Sequence, residues 1–287
     1  MGKYTEIAQT AYGFLRSAFF PVYLLDDVPQ SFDPNKNIVK SNRLKNLPDK
    51  NQLTIVSWNI LRNYDSQNIN KSLAEIIEKC NPDILLIQEA PVNMLRNFNS
   101  FWEHKMFNNF NYYYAPLHQV KKQTKFYNFS HSGQLTFSKY FFTKTAAYQL
   151  PSVTKPILGQ NHVIKRIALY TQINYKEKTT GIYNVHLENA AWQNGRKKQL
   201  EYLLQIIEQN NDDAVIIGGD FNTFLGSNIE QGLQLLEENG FNNLFKNDFR
   251  LLPRLDYFFA SGCKAKGLQL KGNGSDHLPV MAEIIIE

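Results

Sequence analysis

Ala214-Val215-Ile216-Ile217-Gly218-Gly219-Asp220-Phe221-Asn222 is the stretch on which the reading of this chain turns. Its apolar run is short, β-branched and bounded by glycine, which suits a buried strand better than a helix. The run then ends abruptly on a carboxylate and an amide. A carboxylate at the end of a buried strand is costly unless something pairs with it. The same pattern recurs elsewhere. Ile84-Leu85-Leu86-Ile87 ends in Gln88-Glu89, and the apolar run over 182–185 ends near His186. Several such ends converging on one sheet edge point to a cation. Carboxylates, amides and water suit magnesium, calcium or manganese. Histidines beside them add proton transfer near neutral pH. Metal, acid and imidazole together are what phosphoester hydrolysis needs.

Outward from these runs, strand-like and helix-like segments alternate, giving an α/β reading. Strands are expected over 53–58, 84–87, 135–137, 168–173, 182–187, 214–217, 254–260 and 278–286. Helices are expected over 70–80, 195–209 and 229–238. Residues 108–132 read as an aromatic and basic loop, with Tyr112, Tyr113, Tyr114, Lys121, Lys122, Lys125, Phe126 and Tyr127. Such loops commonly carry substrate contacts. Residues 1–50 read as an N-terminal helix followed by an extended connector. Ile7, Ala11, Phe14, Leu15, Ala18 and Phe19 share one side of the helix. It is expected to pack on the main domain of 53–287. Lys3 and Arg16 are its only basic residues, which disfavours the alternative of a membrane-surface helix.

The chain has 287 residues, 43% of them hydrophobic, so one layered domain can use most of it. The net charge of +5 permits contact with nucleic acid or an anionic lipid surface and demands neither. Cys80 and Cys263 form no CxxC pair, which excludes a cysteine zinc site and a disulfide-dense scaffold. Free thiols and a reducing, cytoplasmic location are expected. The most apolar early stretch, 18–25, is interrupted by Pro21 and followed by Asp26-Asp27. It is too short for a bilayer span and lacks the layout of a secretory signal.

Six segments in order then carry a resemblance. They are Ser57-Trp58-Asn59-Ile60, Gln88-Glu89, Asn184-Val185-His186-Leu187, Gly219-Asp220-Phe221-Asn222-Thr223, Arg254-Leu255-Asp256-Tyr257-Phe258 and Gly274-Ser275-Asp276-His277-Leu278-Pro279. Over roughly 53–287 the chain resembles the endonuclease/exonuclease/phosphatase superfamily, the DNase I-like hydrolases. The resemblance implies a four-layer αββα sandwich of two packed mixed β-sheets, with the site at one edge. It implies Glu89 as principal metal ligand, with Asn59 and Asp276 near a Mg2+ ion (or Mn2+, or Ca2+). It implies that Asp220 orients or deprotonates the attacking water and that Asn222 bonds the phosphate. Asp256 would orient His277, and His277 would contact the phosphate or act as base. His186 stands where the DNase and sphingomyelinase branches carry a second catalytic histidine. Leu61 departs from the apurinic-site branch, which has an acidic ligand there. Residues 132–139 resemble the family's central strand followed by Ser-Arg, with Lys139 in place of Arg. Arg166, Glu188, Asn189, Arg196 and Gln199 extend the resemblance around His186. Arg196 and Gln199 are read as structural.

The substrate stays open at this level. A nuclease or DNA-end-processing phosphodiesterase is favoured, with a monomer binding nucleic acid through the aromatic loop and Lys197, Lys198, Lys264, Lys266 and Lys271. Arg166, Asn189 and Tyr127 are its candidate substrate contacts. A phospholipid or inositol-phosphate hydrolase is the alternative, with the apolar N-terminus touching a membrane. A non-catalytic relative would have lost a principal acidic or histidine position, and none is lost.

Overall fold

A computed structural model describes residues 25–27, 38–40, 50–61, 65–92, 105–120, 131–157, 160–189, 193–223, 230–246 and 254–287. The expected helix over 5–20, most of the connector, and Tyr127 lie outside these. The first elements are β1 (Leu25–Asp27), β2 (Ile38–Lys40), β3 (Leu53–Asn59), α1 (Ser66–Cys80), β4 (Ile84–Val92), β5 (Asn111–Val120) and β6 (His131–Ser138). Then come β7 (Lys144–Ile157), β8 (Gln160–Tyr175), β9 (Lys178–His186), α2 (Asn194–Asn210), β10 (Ala214–Asp220) and α3 (Gln231–Glu238). The chain closes with β11 (Asn242–Asn243), β12 (Asp256–Ser261), β13 (Lys264–Gln269) and β14 (Val280–Ile285).

Among the described residues two mixed sheets form. One runs β1-β5-β6-β4-β3-β14-β13, with β2 also on β5, and the other runs β11-β12-β10-β9-β8-β7. The parallel pairs are β3 with β4 and β9 with β10. Ile55, Ile84 and Leu86 of the first sheet pack in one core with Ile182, Ile216 and Phe258 of the second. α1 covers the outer face of the first sheet, with Ile69, Leu73 and Ile76 against Val56, Trp58 and Leu85. Leu200 and Leu203 of α2 and Leu233 of α3 lie in the core on the second sheet. Helix, sheet, sheet and helix make the four layers.

Local chemistry fixes the helix ends. Asp65 caps α1 by accepting the Asn68 N–H, and Asn81 ends the helix in a left-handed conformation at φ 44°. Asn211 ends α2 in the same way at φ 51°. Asparagine tolerates that conformation better than most residues. α2 is tied to the start of α3 by a buried two-pronged ion pair, with Arg196 Nε 2.8 Å from Glu230 Oε1 and Nη2 3.1 Å from Oε2.

One expectation needs correction. Residues 111–120 are not loop but β5, and Tyr112, Tyr113 and Tyr114 are buried in it. They are unavailable for stacking on bases. Two stretches of the expected connector are strands, both antiparallel to β5. Cys80 and Cys263 are free. Among the described residues no helix is long and apolar enough to cross a membrane.

Candidate active site

The site is built where β3, β4, β9, β10 and β12 come together. Register alone brings most of it into line. Asn59, at the end of β3, opposes Gln88 in the bulge of β4. Asp220 on β10 opposes His186 on one side and Asp256 on the other. The two glycines before Asp220 are required by close packing. A Cβ on Gly218 would lie 2.2 Å from the Phe258 ring, and one on Gly219 would lie 1.9 Å from the Val185 carbonyl. Gly219 also has φ +149°, which side chains rarely adopt.

Backbone strain concentrates here. Leu61, Glu89 and Asn222 sit at φ 50°, 53° and 51°. The other non-glycine residues with positive φ among those described are helix caps or the turn pair Lys176-Glu177. Left-handed leucine and glutamate cost energy and persist where surrounding structure fixes them, commonly at active sites.

Asp220 is the hub. It is 1% exposed. Its Oδ2 accepts the Asn59 amide at 2.9 Å and its Oδ1 accepts the Asn222 N–H at 2.9 Å. Both oxygens are thereby oriented. Two imidazoles flank it, His186 Nε2 at 3.4 Å and His277 Nε2 at 3.6 Å, both measured to Oδ2. The other nitrogen of His277, Nδ1, lies 2.8 Å from Asp256 Oδ2. Trp58 Nε1 donates to the His277 carbonyl at 2.9 Å, which fixes the turn before β14. Burial pushes the Asp220 carboxyl up to about 7, the His277 charge opposes that, and the Asp256 charge adds to it. Burial alone would lower the His277 imidazole, but the Asp256 and Asp220 carboxylates hold it charged to well above its usual 6.5.

The remaining expected residues fall around this hub. Asn59 Oδ1 accepts the Leu61 N–H at 3.0 Å, so both ends of that amide are engaged. Asn222 Nδ2 donates to the Leu187 carbonyl at 3.0 Å. Glu89 is half-buried beside Gln88, and Asp276 is half-buried in the turn that Ser275 Oγ ties to the Asn59 carbonyl at 2.6 Å. Arg166 on β8 is 6% exposed, and its buried Nε has no hydrogen-bond partner. Asn189 is half-buried just beyond β9. Gln199 accepts the Glu188 N–H at 2.9 Å and donates to the Pro151 carbonyl at 3.1 Å, so it pins the end of β9. Glu188 itself is fully buried, with neither carboxylate oxygen hydrogen-bonded.

The donor set fits a hard cation. Ligand atoms of Asp220, Asp256 and His277 lie within 4.8 Å of one another, and the two carboxylates are the donors available there while His277 is charged. Glu89 in the β4 bulge, Asn59 at the end of β3 and Asp276 in the turn before β14 add two carboxylates and an amide. No thiol is among these donors, which favours ions that take oxygen ligands.

A sequence model of the Endonuclease/Exonuclease/phosphatase family matches residues 56–277. The chain belongs to that family. Its members hydrolyse phosphoester bonds, and this protein is such a hydrolase. Solved structures in the family share the fold. Truncated Caenorhabditis elegans TDP2 superimposes with a TM-score of 0.56 at 18% identity, covering 82% of this chain and 97% of that one. The human Nocturnin catalytic domain with bound sulfate gives 0.59 at 18% identity, covering 82% and 94%. Bacteroides thetaiotaomicron mannosyl-6-phosphatase gives 0.59 at 14% identity, covering 82% and 100%. No curated protein matches the sequence. The family's DNase I-like fold is therefore present here, with Asp220, Asp256 and His277 clustered at the rim of the sandwich.

Proposed function

We propose that the protein is a divalent-metal-dependent phosphodiesterase acting on nucleic acid, internally or at a DNA end. The observation that carries this reading is the buried Asp220–His277–Asp256 group with His186 beside it. Asp220 is a base matched to neutral pH: its value near 7 lets it take a proton from water without holding it too tightly. Asn59 and Asn222 hold its two oxygens, so the lone pairs have fixed directions. His277, kept charged by Asp256, donates to the phosphoryl oxygens. His186, on the other side of Asp220, would give a proton to the leaving oxygen. Arg166 brings a further positive charge to the phosphate, with Asn189 and Tyr127 as additional contacts. Glu89, with Asn59 and Asp276, would hold the metal. When bound, Mg2+ or Mn2+ supplies neutralisation of charge developing on the phosphate.

The net charge of +5 is compatible with nucleic acid and does not by itself separate it from an anionic lipid surface. The surface lysines carry less of this reading than their number implies. Lys264 and Lys266 are paired with Glu287 and Glu283 on β13.

The test is cleavage of plasmid and of 5′-tyrosyl DNA, with phospholipid, inositol-phosphate and sugar-phosphate substrates alongside. Activity should vanish in excess chelator and return with Mg2+ or Mn2+. Full activity in chelator would overturn the metal reading. Turnover confined to a non-nucleotide phosphate would overturn the substrate.

A further inference from the structure

Between Glu89 and His186 one wall of the site is made by β6, and the residue it presents there is Gln134. Register places it. Ile87 opposes Leu135 and Ala90 opposes Gly133, so Gln134 alone faces the two-residue bulge Gln88-Glu89. Leu135 and Phe137 belong to the core under α1. By strand alternation Gln134 and Thr136 therefore face the space between the sheets. Asn184 fixes the level across that space. Its Nδ2 donates to the carbonyls of Ile87 at 3.3 Å and Leu135 at 3.1 Å. The next positions toward the strand ends are Glu89, Gln134 and His186.

Gln134 is 1% exposed, and neither its Oε1 nor its Nε2 has a hydrogen-bond partner. A buried amide left with no partner is destabilising, whereas an apolar side chain of the same shape there is not. Polar groups retained at such a cost tend to mark a function. What stands opposite in register is the bulge that holds Glu89, whose backbone is left-handed at φ 53° and which is the proposed metal ligand. Magnesium and manganese keep several waters, and those waters need acceptors and neighbours from the protein. A neutral amide can accept from such water and donate to carboxylate without adding charge.

We propose that Gln134 is a positioning residue of the metal site, hydrogen-bonding the water shell of the divalent cation held at Glu89 and thereby setting its affinity. The inference rests on the metal-dependent reading above.

The probe is Mn2+, followed by electron paramagnetic resonance of the free ion, together with melting in the absence of metal. Gln134→Met should raise the metal-free melting temperature by about 2–4 °C, since it removes an unsatisfied amide. It should also weaken Mn2+ binding by about tenfold or more, as loss of groups behind the metal ligands does. Thr136→Val is the control. Thr136 is fully buried on the same face, one step further from the site, and its hydroxyl also has no partner. That variant should gain stability with Mn2+ affinity unchanged. Gln134→Met that gains stability and binds Mn2+ as the parent does would overturn the proposal, leaving Gln134 as a hydrated core amide. If Gln134→Met does not fold, Gln134→Glu decides. An added carboxylate at that place should tighten Mn2+ binding, and unchanged affinity would overturn the inference. A parent protein that binds no Mn2+ overturns the metal reading together with this proposal. Gln134-dependent Mn2+ binding without cleavage of nucleic acid supports the proposal and removes only the substrate class.

Discussion

Two aspartates, one near each end of the sandwich, are equally buried and put to opposite use. Asp83 lies just before β4 and is fully buried. It accepts Lys50 Nζ at 2.8 Å and the Thr54 N–H at 2.9 Å, with Lys139 Nζ at 3.9 Å. Asp220 lies where β10 ends and is 1% exposed. Its neighbours are two imidazoles, two amide donors and another carboxylate. Burial is the same, so burial does not decide the outcome. The partners do. An ammonium ties Asp83 into a structural ion pair, whereas the mixed acid and imidazole neighbourhood of Asp220 leaves a proton free to move near pH 7.

The largest way to break the comparison is Asp220→Asn. Turnover should fall by about 10³-fold or more, since the group that takes the proton is gone. The fold should not suffer. The Asp220 value is raised from 3.8 to about 7, so its surroundings disfavour the charge, and the protein loses stability as pH rises through that window. At pH 8 the variant should therefore melt at or above the parent. A lower melting temperature with activity retained would mean that Asp220 is a structural acid like Asp83.

Next in size is Asp256→Asn, which removes the charge that seats and protonates His277. Turnover should fall by about 10²-fold, with the alkaline side of the pH profile moved to lower pH. A profile that keeps its alkaline limb would show that His277 does not depend on Asp256.

The acid limb sharpens the point without any mutation. Because Asp220 acts in its ionised form, kcat/KM should be full above about 7 and fall about tenfold per pH unit below it. Asn59→Ala removes a hydrogen bond that lowers this value, so the limb should move to higher pH. A limb that stays in place would assign it to another group.

The smallest kinetic effect is expected at the other end. Asp83→Asn should leave turnover unchanged and cost about 2 kcal/mol, since it removes the buried charge that Lys50 pairs with and weakens the bond from the Thr54 N–H. A drop in turnover with unchanged stability would invert the comparison.

The fold class and the polar strand ends were legible, and several of the strands around them were not. Asp220, Glu89 and His186 announce themselves as polar ends of apolar runs, and β3, β4, β9 and β10 follow directly from those runs. β5 was hidden because both its faces are buried. Tyr113 and Ala115 turn to one core, Tyr112 and Tyr114 to another, so no polar alternation marks the strand. β7 was hidden by Pro151 and Pro156. It is an edge strand, where proline is tolerated, and its register shifts between Leu150 and Val153. Gln134 carried no signal as a single residue, because its place depends on the bulge in β4 and on a neighbour in the opposite sheet. Glu188 adjoins a motif, yet only the folded structure shows that its carboxylate is buried without a hydrogen bond.

β14 lies between β3 and β13, although it is the last described strand in chain order. Asn59 and Glu89 leave the ribosome long before Asp256 and His277, and β14 follows His277 directly. Until β14 pairs, β3 has an open edge and the turn that carries His277 is not anchored beside Asp220 and Asp256. Assembly of the candidate site is therefore tied to the pairing of β14, and a chain that stops short of β14 carries the earlier site residues without a seated His277.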